Sequence, residues 1–524
     1  MGDKAILTEV LEASHLTDTY SDLTAANIIK ELRHVSDESS SVRYSNLDDE
    51  SCTKSSAAGD AAQSEMPPLT YTVDDAVEAL GFGRFQLTLS VLAGLAWMAD
   101  AMEIMLLAIV TPALTCEWNI SSGQKAMVTT CVFAGMMLSS TFWGGLCDRI
   151  GRKWGLLYST LLACVMGVAS GMASSFTFFL VARGLVGFGV GGVPQSITLY
   201  AEFLPSSHRA KCVVLIESFW AVGTIFEALL AFFVMESIGW RALVCLSSLP
   251  LGIFALSSWW LPESARFHMA TGQSEKALAT LQLVAKKNGR QLPPGQLVAS
   301  KNEKANPSSS GAIWALLGQQ LRKTTLLVWV IWMVNAFCYY GLVLYTTTLF
   351  HSTDECHGGD LPSNTTSTAS CVPPSRSFYL DLFTTSLGEI PGFIITALII
   401  EWAGRKKTLA FEFAVFAVSI LLLLLCLHRV VVIALIFIAR AFISGAFQGV
   451  YVYTPEVYPT TLRASGLGAA SGMARLGAIT TPLVAQVLAA DYLMLPAAIY
   501  GAAAVVGILA SLSLPIETKG RQMQ

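Results

Sequence analysis

The sequence predicts an all-α membrane protein with twelve transmembrane helices, arranged as two six-helix halves that are related in parallel. Of its 524 residues, 53% are hydrophobic and only 13% are charged, whereas a soluble globular domain carries about 25% charged residues. Its apolar runs approach the roughly 20 residues that cross a bilayer as a helix. Motifs in the first half also recur in the second half, which indicates an internal repeat.

Each apolar run should be helical, because the hydrocarbon core offers no partner to an exposed backbone group. The expected spans of the first half are Leu87–Pro112, Ala126–Leu146, Trp154–Met172, Phe178–Tyr200, Cys212–Phe233 and Ala242–Leu261. Those of the second half are Thr325–Leu349, Phe378–Ile400, Thr408–Leu427, Val430–Tyr453, Gly466–Leu488 and Tyr492–Leu514.

The segments between and around the spans divide the chain further. Residues 1–70 are polar and lack an apolar period, so we expect a disordered cytosolic tail. Thr72 should then cap a short helix that Gly81 ends. The expected domains are an N-terminal bundle (71–261), a cytosolic linker loop (262–324), a C-terminal bundle (325–514) with a lumenal loop (351–377), and a cytosolic C-terminus (515–524).

Lys and Arg concentrate in one set of loops, which predicts that both termini lie in the cytosol. The opposite loops carry two Asn-x-Ser/Thr sequons, at Asn119 and Asn364, which fits glycosylation in a lumenal compartment. Cys356 and Cys371 lie in the long lumenal loop, and we expect a disulfide between them. Two free thiols, or a bridge to Cys116 instead, are the alternatives.

Charged motifs recur at a spacing of 253 or 254 positions. The corresponding segments are Gly151-Arg152-Lys153 with Gly404-Arg405-Lys406, Glu202-x-x-Pro205-x-x-x-Arg209 with Glu456-x-x-Pro459-x-x-x-Arg463, and Glu263 with Glu517. Parallel halves of this kind build transporters whose central site is exposed to each face in turn.

These motifs resemble those of the major facilitator superfamily. Gly144-x-Leu146-x-Asp148-Arg149-x-Gly151-Arg152-Lys153 resembles its signature between the second and third spans, and Arg183-x-x-x-Gly187-x-x-x-Gly191 its fourth-span motif. Pro262-Glu263-Ser264-Ala265-Arg266 and Pro515-x-Glu517-Thr518-Lys519-Gly520 resemble the sugar-porter and organic-ion branches. The resemblance covers residues 71–521 and implies the major facilitator fold and a transport function.

Three further segments resemble a vesicle-membrane branch of this superfamily: 74–83, 97–103 and 192–196. This resemblance implies a multi-pass protein of synaptic or secretory vesicles.

Charged residues inside spans are costly and usually mark functional sites. There are at least eight: Asp100, Glu103, Arg183, Glu217, Glu227, Glu389, Arg440 and Arg475. Asp100 and Glu103 are three residues apart, hence on one face of the first span, where two carboxylates readily share a proton. With Arg183 they form the candidate proton-coupling element, and the sugar–proton symporters that this segment resembles carry an acid here. The alternative is a fixed Asp100–Arg183 ion pair that only joins two spans.

Arg475 is the residue that discriminates best between solute classes. In similar segments organic cation carriers have an acid and organic anion carriers an Arg, and a buried guanidinium suits a carboxylate. The alternative is an internal pair with Glu389. Glu389 itself, in Gly388-Glu389-Ile390-Pro391, resembles the eighth span of organic-ion carriers and favours a cation or a zwitterion. Trp97, Asn335, Tyr339 and Tyr340 are the expected polar and aromatic wall of the site.

The loop charges predicted to face the cytosol form a third group. The resemblance implies that they close a cytosolic gate when the carrier faces outward, and capping of helix ends is the alternative. They are Asp148, Arg152, Glu202, Arg209, Glu263, Arg266, Glu401, Arg405, Glu456, Arg463 and Glu517.

The sequence therefore predicts a secondary active transporter of a small charged organic solute, working by alternating access and coupled to protons. An organic anion is favoured, and a nicotinate-like molecule is one candidate because 100–103 resembles a segment of bacterial niacin carriers. The alternatives are an organic cation transporter, or a non-transporting vesicle protein for binding or trafficking that retained the fold.

Composition and motifs also argue against several functions. The net charge of -4 argues against a nucleic-acid partner. The sequence shows no nucleophile–base constellation that would indicate an enzyme. Its seven histidines are not spaced like the ligands of a metal ion. We expect no cofactor and a monomer in the bilayer.

Overall fold

The computed structural model describes residues 70–299, 314–351, 374–425, 427–459 and 462–519. The predicted tail therefore lies outside the described residues except for Thr70. Helices dominate the described chain, and its two strands, β1 (Thr70–Tyr71) and β2 (Gln296–Leu297), form one short parallel pair.

The first half and the linker that follows it contain twelve α-helices in the described residues. They are α1 (Val73–Leu80), α2 (Arg84–Trp118), α3 (Ser122–Ile150), α4 (Arg152–Gly171), α5 (Phe176–Val190), α6 (Gln195–Glu202), α7 (Ser206–Ile216), α8 (Ser218–Val234), α9 (Trp240–Ser247), α10 (Leu249–Ser257), α11 (Ala265–Ala270) and α12 (Ser274–Asn288).

The second half continues with α13 (Arg322–His351), α14 (Arg376–Ser386), α15 (Glu389–Ala403), α16 (Arg405–Leu422), α17 (Arg429–Val457), α18 (Arg463–Pro482), α19 (Ala489–Asp491) and α20 (Leu495–Leu512). A π-helical turn over Leu483–Leu488 joins α18 to α19.

Ten helical segments of the described chain are long and apolar enough to cross a membrane. Two predicted spans are not among them, and each has a local reason. The fifth is interrupted at Glu217, which leaves α8 with only 17 residues. The ninth, α16, carries Arg405, Lys406, Lys407 and Glu412 within its 18 residues. Both are nevertheless helical and packed among the other spans.

The segment before the first span is held by its own cap and by the linker. Thr72 accepts a hydrogen bond from the Asp75 backbone and Gly81 ends α1, as predicted. Asp74 pairs with Arg266 of α11. Asn288, at the end of α12, accepts a hydrogen bond from the Phe85 backbone at 3.0 Å and so caps the start of α2. The first part of the linker is therefore part of the N-terminal half.

The helical bundle has two ends. We call the end where α2 begins and α20 ends the terminal face, and the end where α2 ends the distal face. Arg241, at the start of α9, pairs with Glu117 at the distal end of α2, with the Nη1 and Oε2 atoms 2.7 Å apart. Glu263, which follows α10, meets the start of α4 at the terminal face.

Candidate functional site

A cavity lies at mid-depth between the two halves. The first half contributes Trp97, Glu217 and Trp220, and the second half contributes most of the remaining wall. The residues from the second half are Trp332, Tyr339, Tyr340, Ser444, Phe447, Gln448, Tyr451, Ser471, Ala474 and Arg475.

Aromatic rings form much of the wall and pack against one another across the two halves. The ring centroids of Trp97 and Trp220 are 5.5 Å apart, and those of Trp220 and Tyr339 are 6.2 Å apart. Trp332 and Tyr451 meet edge to face at 4.6 Å. Such a wall suits a ring-bearing solute through stacking.

The structure places Trp97, Tyr339, Tyr340 and Arg475 together in this wall. Asn335 is fully buried and does not line the cavity, and neither atom of its side-chain amide has a hydrogen-bond partner among the described residues. It lies on α13 one turn before Tyr339.

Four lining residues of α17 were not predicted from the sequence. Ser444, Phe447, Gln448 and Tyr451 follow the spacing i, i+3, i+4 and i+7, which places them on one helix face. That spacing is readable in the sequence, but nothing in it says that this face borders a cavity rather than another helix.

Arg475 lies on α18 and has only a weak partner. Its Nη1 atom lies 3.2 Å from the sulfur of Met136 on α3 of the other half, and a thioether is a poor acceptor. No ion pair of Arg475 occurs within the described part of the chain. The predicted alternative, a pair with Glu389, is wrong because Glu389 is bound elsewhere.

Glu389 is fully buried and pairs with Arg440, with the Nε and Oε1 atoms 3.0 Å apart. The Tyr339 hydroxyl donates to the same oxygen at 3.0 Å, and Thr224 donates to the other at 3.2 Å. Both residues of the ion pair are 0% exposed. Glu389 therefore reaches the cavity only through Tyr339 and does not line it.

The two acids of the first span have different surroundings. Arg183 Nη1 contacts both oxygens of Glu103, at 2.6 and 2.8 Å, and its Nη2 donates to Ser170. The alternative of an Asp100–Arg183 pair is therefore wrong. Asp100 is fully buried, and neither of its carboxylate oxygens has a hydrogen-bond partner among the described residues. It interacts electrostatically with Arg475.

Glu217 lies where the fifth span is interrupted, between α7 and α8. Trp97 Nε1 donates to its Oε2 atom at 3.2 Å. Its Oε1 atom is buried and has no partner among the described residues. The sequence marked Glu217 as a charge inside a span, but did not place it in the wall of the cavity.

At the terminal face, the charges of the first half form one cluster. Arg152 pairs with Asp148 at 2.9 Å and with Glu202 at 3.4 Å. Glu263 accepts a hydrogen bond from the Arg152 backbone at 2.8 Å, so it caps the start of α4. Gly151 has φ of 106°, and an added Cβ would lie 2.2 Å from the Glu263 carboxylate, so glycine is required there.

The second half repeats this cluster. Arg405 pairs with Glu456 at 3.0 Å and with Glu401 at 3.3 Å. Glu517 accepts a hydrogen bond from the Arg405 backbone at 2.8 Å and caps the start of α16. Each of these contacts stays within one half: the arginine side chains make the ion pairs, and Glu263 and Glu517 cap the helices.

The remaining predicted gate residues have separate places. Arg266 pairs with Asp74. Arg209 donates to the backbone carbonyl of Leu204 at 3.1 Å, and burial lowers the pKa of this guanidinium from its ordinary value. Arg463 begins α18.

One buried acid was missed altogether. Glu412 of α16 is 1% exposed and accepts a hydrogen bond from Thr396 at 2.6 Å. It lies within the apolar run of the predicted ninth span. Composition alone does not show that its side chain is buried. The described residues contain no group of three His, Cys, Asp or Glu side chains that could hold a metal ion.

At the distal face, Asn119 is exposed and follows α2 in a left-handed conformation. Asn364, Cys356 and Cys371 lie outside the described residues. Cys116 is disulfide-bonded. Because the other six described cysteines are free, its partner lies beyond the described part of the chain.

The comparisons with known proteins agree on one family. A family described as sugar (and other) transporter matches residues 70–355. The putative transporter svop-1 of Caenorhabditis elegans is 66% identical over 100% of this chain and 99% of its own length. The synaptic vesicle 2-related protein of Rattus norvegicus is 53% identical over 87% of this chain and 82% of its own length. The predicted resemblance to a vesicle-membrane branch is thereby confirmed.

A more distant relative and a solved structure complete the comparison. The organic cation/carnitine transporter 7 of Arabidopsis thaliana is 36% identical over 86% of this chain and 96% of its own length. The xylose transporter XylE from E. coli, in a partially occluded inward open conformation, is 15% identical. It superposes with a TM-score of 0.65 over 84% of this chain and 99% of that chain. The predicted all-α major facilitator fold is confirmed.

Proposed function

Since the chain belongs to the sugar (and other) transporter family of the major facilitator superfamily, we propose that it carries a small aromatic organic anion by alternating access. Its relatives are transporters rather than enzymes. The solute class is our inference from the cavity, and a molecule with one aromatic ring and a carboxylate, such as nicotinate, has the chemistry that the wall would recognise.

The observation that supports an anion is the state of Arg475. It is the only Lys or Arg in the described wall of the cavity, and it has no carboxylate partner there. By contrast, the charges of Glu389 and Arg440 offset each other. A guanidinium with a free planar edge binds a carboxylate through two parallel hydrogen bonds.

We propose that protons drive transport and that Asp100 carries the proton. Glu103 is already held by Arg183, which leaves Asp100 as the acid of the first span without a hydrogen-bond partner among the described residues. Its electrostatic interaction with Arg475 links its protonation to the charge that the solute meets. A substrate anion at Arg475 would compete with the Asp100 charge.

We place the protein in synaptic or secretory vesicle membranes, with the terminal face toward the cytosol. The Lys and Arg bias of the loops supports this orientation, and the name of the rat relative supports the location. The terminal-face clusters around Arg152 and Arg405 would then belong to a cytosolic gate.

An organic cation is the second candidate. The Arabidopsis relative is named for such a solute, and Glu217 supplies a carboxyl group in the wall. Glu389, the acid first assigned this role, is already paired with Arg440 and supports it less.

The test is a thermal-shift screen of benzoate and nicotinate against organic cations of similar size, on the purified protein and on Arg475→Ala. Loss of a charge-assisted contact typically costs about 1.5–3 kcal/mol, so the variant should bind anions roughly tenfold to a hundredfold more weakly. Arg475→Lys should recover only part of the affinity, because an ammonium lacks the planar fork. Arg149→Ala, at an exposed arginine, is the matched control.

Uptake of the stabilising anion into liposomes that contain the protein would separate transport from binding alone. Stabilisation by cations only, unchanged in Arg475→Ala, would overturn the anion proposal.

A further inference from the structure

The interruption of the fifth span lies at the cavity. Glu217 separates α7 from α8, and the backbone N–H of Trp220 donates to the Glu217 carbonyl at 3.0 Å in a single tight turn. Glu217 keeps right-handed helical dihedral angles, φ -59° and ψ -24°, so the interruption is one tightened turn within a helical path. Glu217 and Trp220, three residues later, both line the cavity.

Glu217 and Arg475 stand on opposite halves of the same cavity and do not pair. One belongs to the first half and the other to α18, and no ion pair between them occurs among the described residues. Tyr340 and Tyr451 interact electrostatically with both of them. The two tyrosines line the same cavity as this acidic pole, Glu217, and this basic pole, Arg475.

Each pole has unused hydrogen-bonding capacity. Glu217 Oε1 is buried without a partner in the described part of the chain, and Arg475 meets only a sulfur. A buried polar atom without a partner is costly, so a ligand that satisfies both poles relieves two costs at once. Asp100, which interacts electrostatically with Arg475, is 0% exposed and does not line the cavity.

We propose that the solute is an aromatic zwitterion, whose anionic group binds Arg475 and whose cationic group binds Glu217. This inference deepens the proposed function and rests on it. The indoles of Trp97 and Trp220 flank the acidic pole, and indole faces attract a cation. The ring of the solute then lies between the poles, against Tyr340 and Tyr451.

Three probes with one six-membered ring each test this directly. Trigonelline (N-methylnicotinate) carries both charges at all working pH values, benzoate carries only the negative charge, and 1-methylnicotinamide only the positive one. Affinity for the full-length protein in nanodiscs is measured by thermal shift. Trigonelline should bind at least about tenfold more tightly than benzoate.

The variants separate the two poles. Glu217→Gln should weaken trigonelline binding to the level of benzoate and leave benzoate unchanged. Arg475→Gln should weaken both. Glu236→Gln, an exposed acid of the distal face, is the matched control and should change neither.

The outcomes distinguish this inference from the proposed function. If benzoate depends on Arg475 but trigonelline binds no better and ignores Glu217, the zwitterion is wrong and the anion carrier stands. If neither probe depends on Arg475, the proposed function is wrong as well. Failure of trigonelline to bind at millimolar concentration also overturns the zwitterion.

Discussion

The indole N–H of Trp220 donates a hydrogen bond to the Tyr339 hydroxyl at 2.6 Å, and this bond joins the two halves of the molecule at the cavity wall. Tyr339 in turn donates to Glu389, which Arg440 also binds. The cavity is thus connected by two successive hydrogen bonds to a fully buried ion pair.

Removing the Tyr339 hydroxyl should destabilise the protein more than removing the indole donor. Tyr339→Phe loses two hydrogen bonds, one of them to a carboxylate, and should cost about 1.5–3 kcal/mol. Trp220→Phe loses only one neutral hydrogen bond. Thermal unfolding in detergent measures both, and Tyr340→Phe is the control because its hydroxyl makes no hydrogen bond to Glu389. Equal melting temperatures for Tyr339→Phe and Tyr340→Phe would show that the connection contributes nothing.

Glu103→Gln should lower stability strongly. It leaves the Arg183 guanidinium, 1% exposed, without its carboxylate partner, and breaking a buried ion pair costs about 3–5 kcal/mol. Replacing both residues, as Glu103→Gln with Arg183→Met, should restore much of the loss. Unfolding by heat or denaturant checks this, and an unchanged midpoint in the single variant would contradict it.

Asp100→Asn should remove the pH response of transport or solute binding while leaving the fold intact. The amide cannot take up a proton, and Asp100 has no hydrogen-bond partner among the described residues to lose. Uptake across a series of pH values is measured for Asp100→Asn and for the control Glu236→Gln. A full pH response in Asp100→Asn would exclude Asp100 as the proton site.

Arg152→Ala and Arg405→Ala should shift the carrier toward the state that is open at the terminal face. Each arginine binds two acids of its own half, so its loss loosens the helix ends that must meet when that face closes. The accessibility of engineered cysteines from each side reports the shift. Lys407→Ala, at an exposed lysine beside Arg405, is the control. If accessibility is unchanged in both arginine variants, the clusters only support helix ends.

Asn119 and Asn364 should carry glycans when the protein is made in animal cells. Both follow from the predicted lumenal position of the distal face. Glycosidase treatment of wild type, Asn119→Gln and Asn364→Gln measures the change in mass for each site. If the 351–377 loop is labelled from the cytosolic side of sealed vesicles, the predicted orientation is wrong.

The sequence predicts which helices exist and which charges lie inside them, but not how the charges pair. Hydrophobic length predicts the spans because the bilayer leaves few alternatives. The partner of Arg183 depends on a rotation of about 60° along α2, which separates Glu103 from Asp100 and cannot be read from spacing alone. In the same way, spacing alone does not show that Glu389 pairs with Arg440 and not with Arg475.

Glu263 and Glu517 give each half a closing contact of its own. Each acid follows the last helix of its half and caps an interior helix of that same half, α4 or α16. The linker up to Leu297 also returns to the first half, where β2 pairs with β1. A polypeptide interrupted between residues 300 and 313 therefore keeps every one of these contacts within a single fragment. Two such fragments, produced from separate genes in one cell, should insert independently and reassemble into a working carrier.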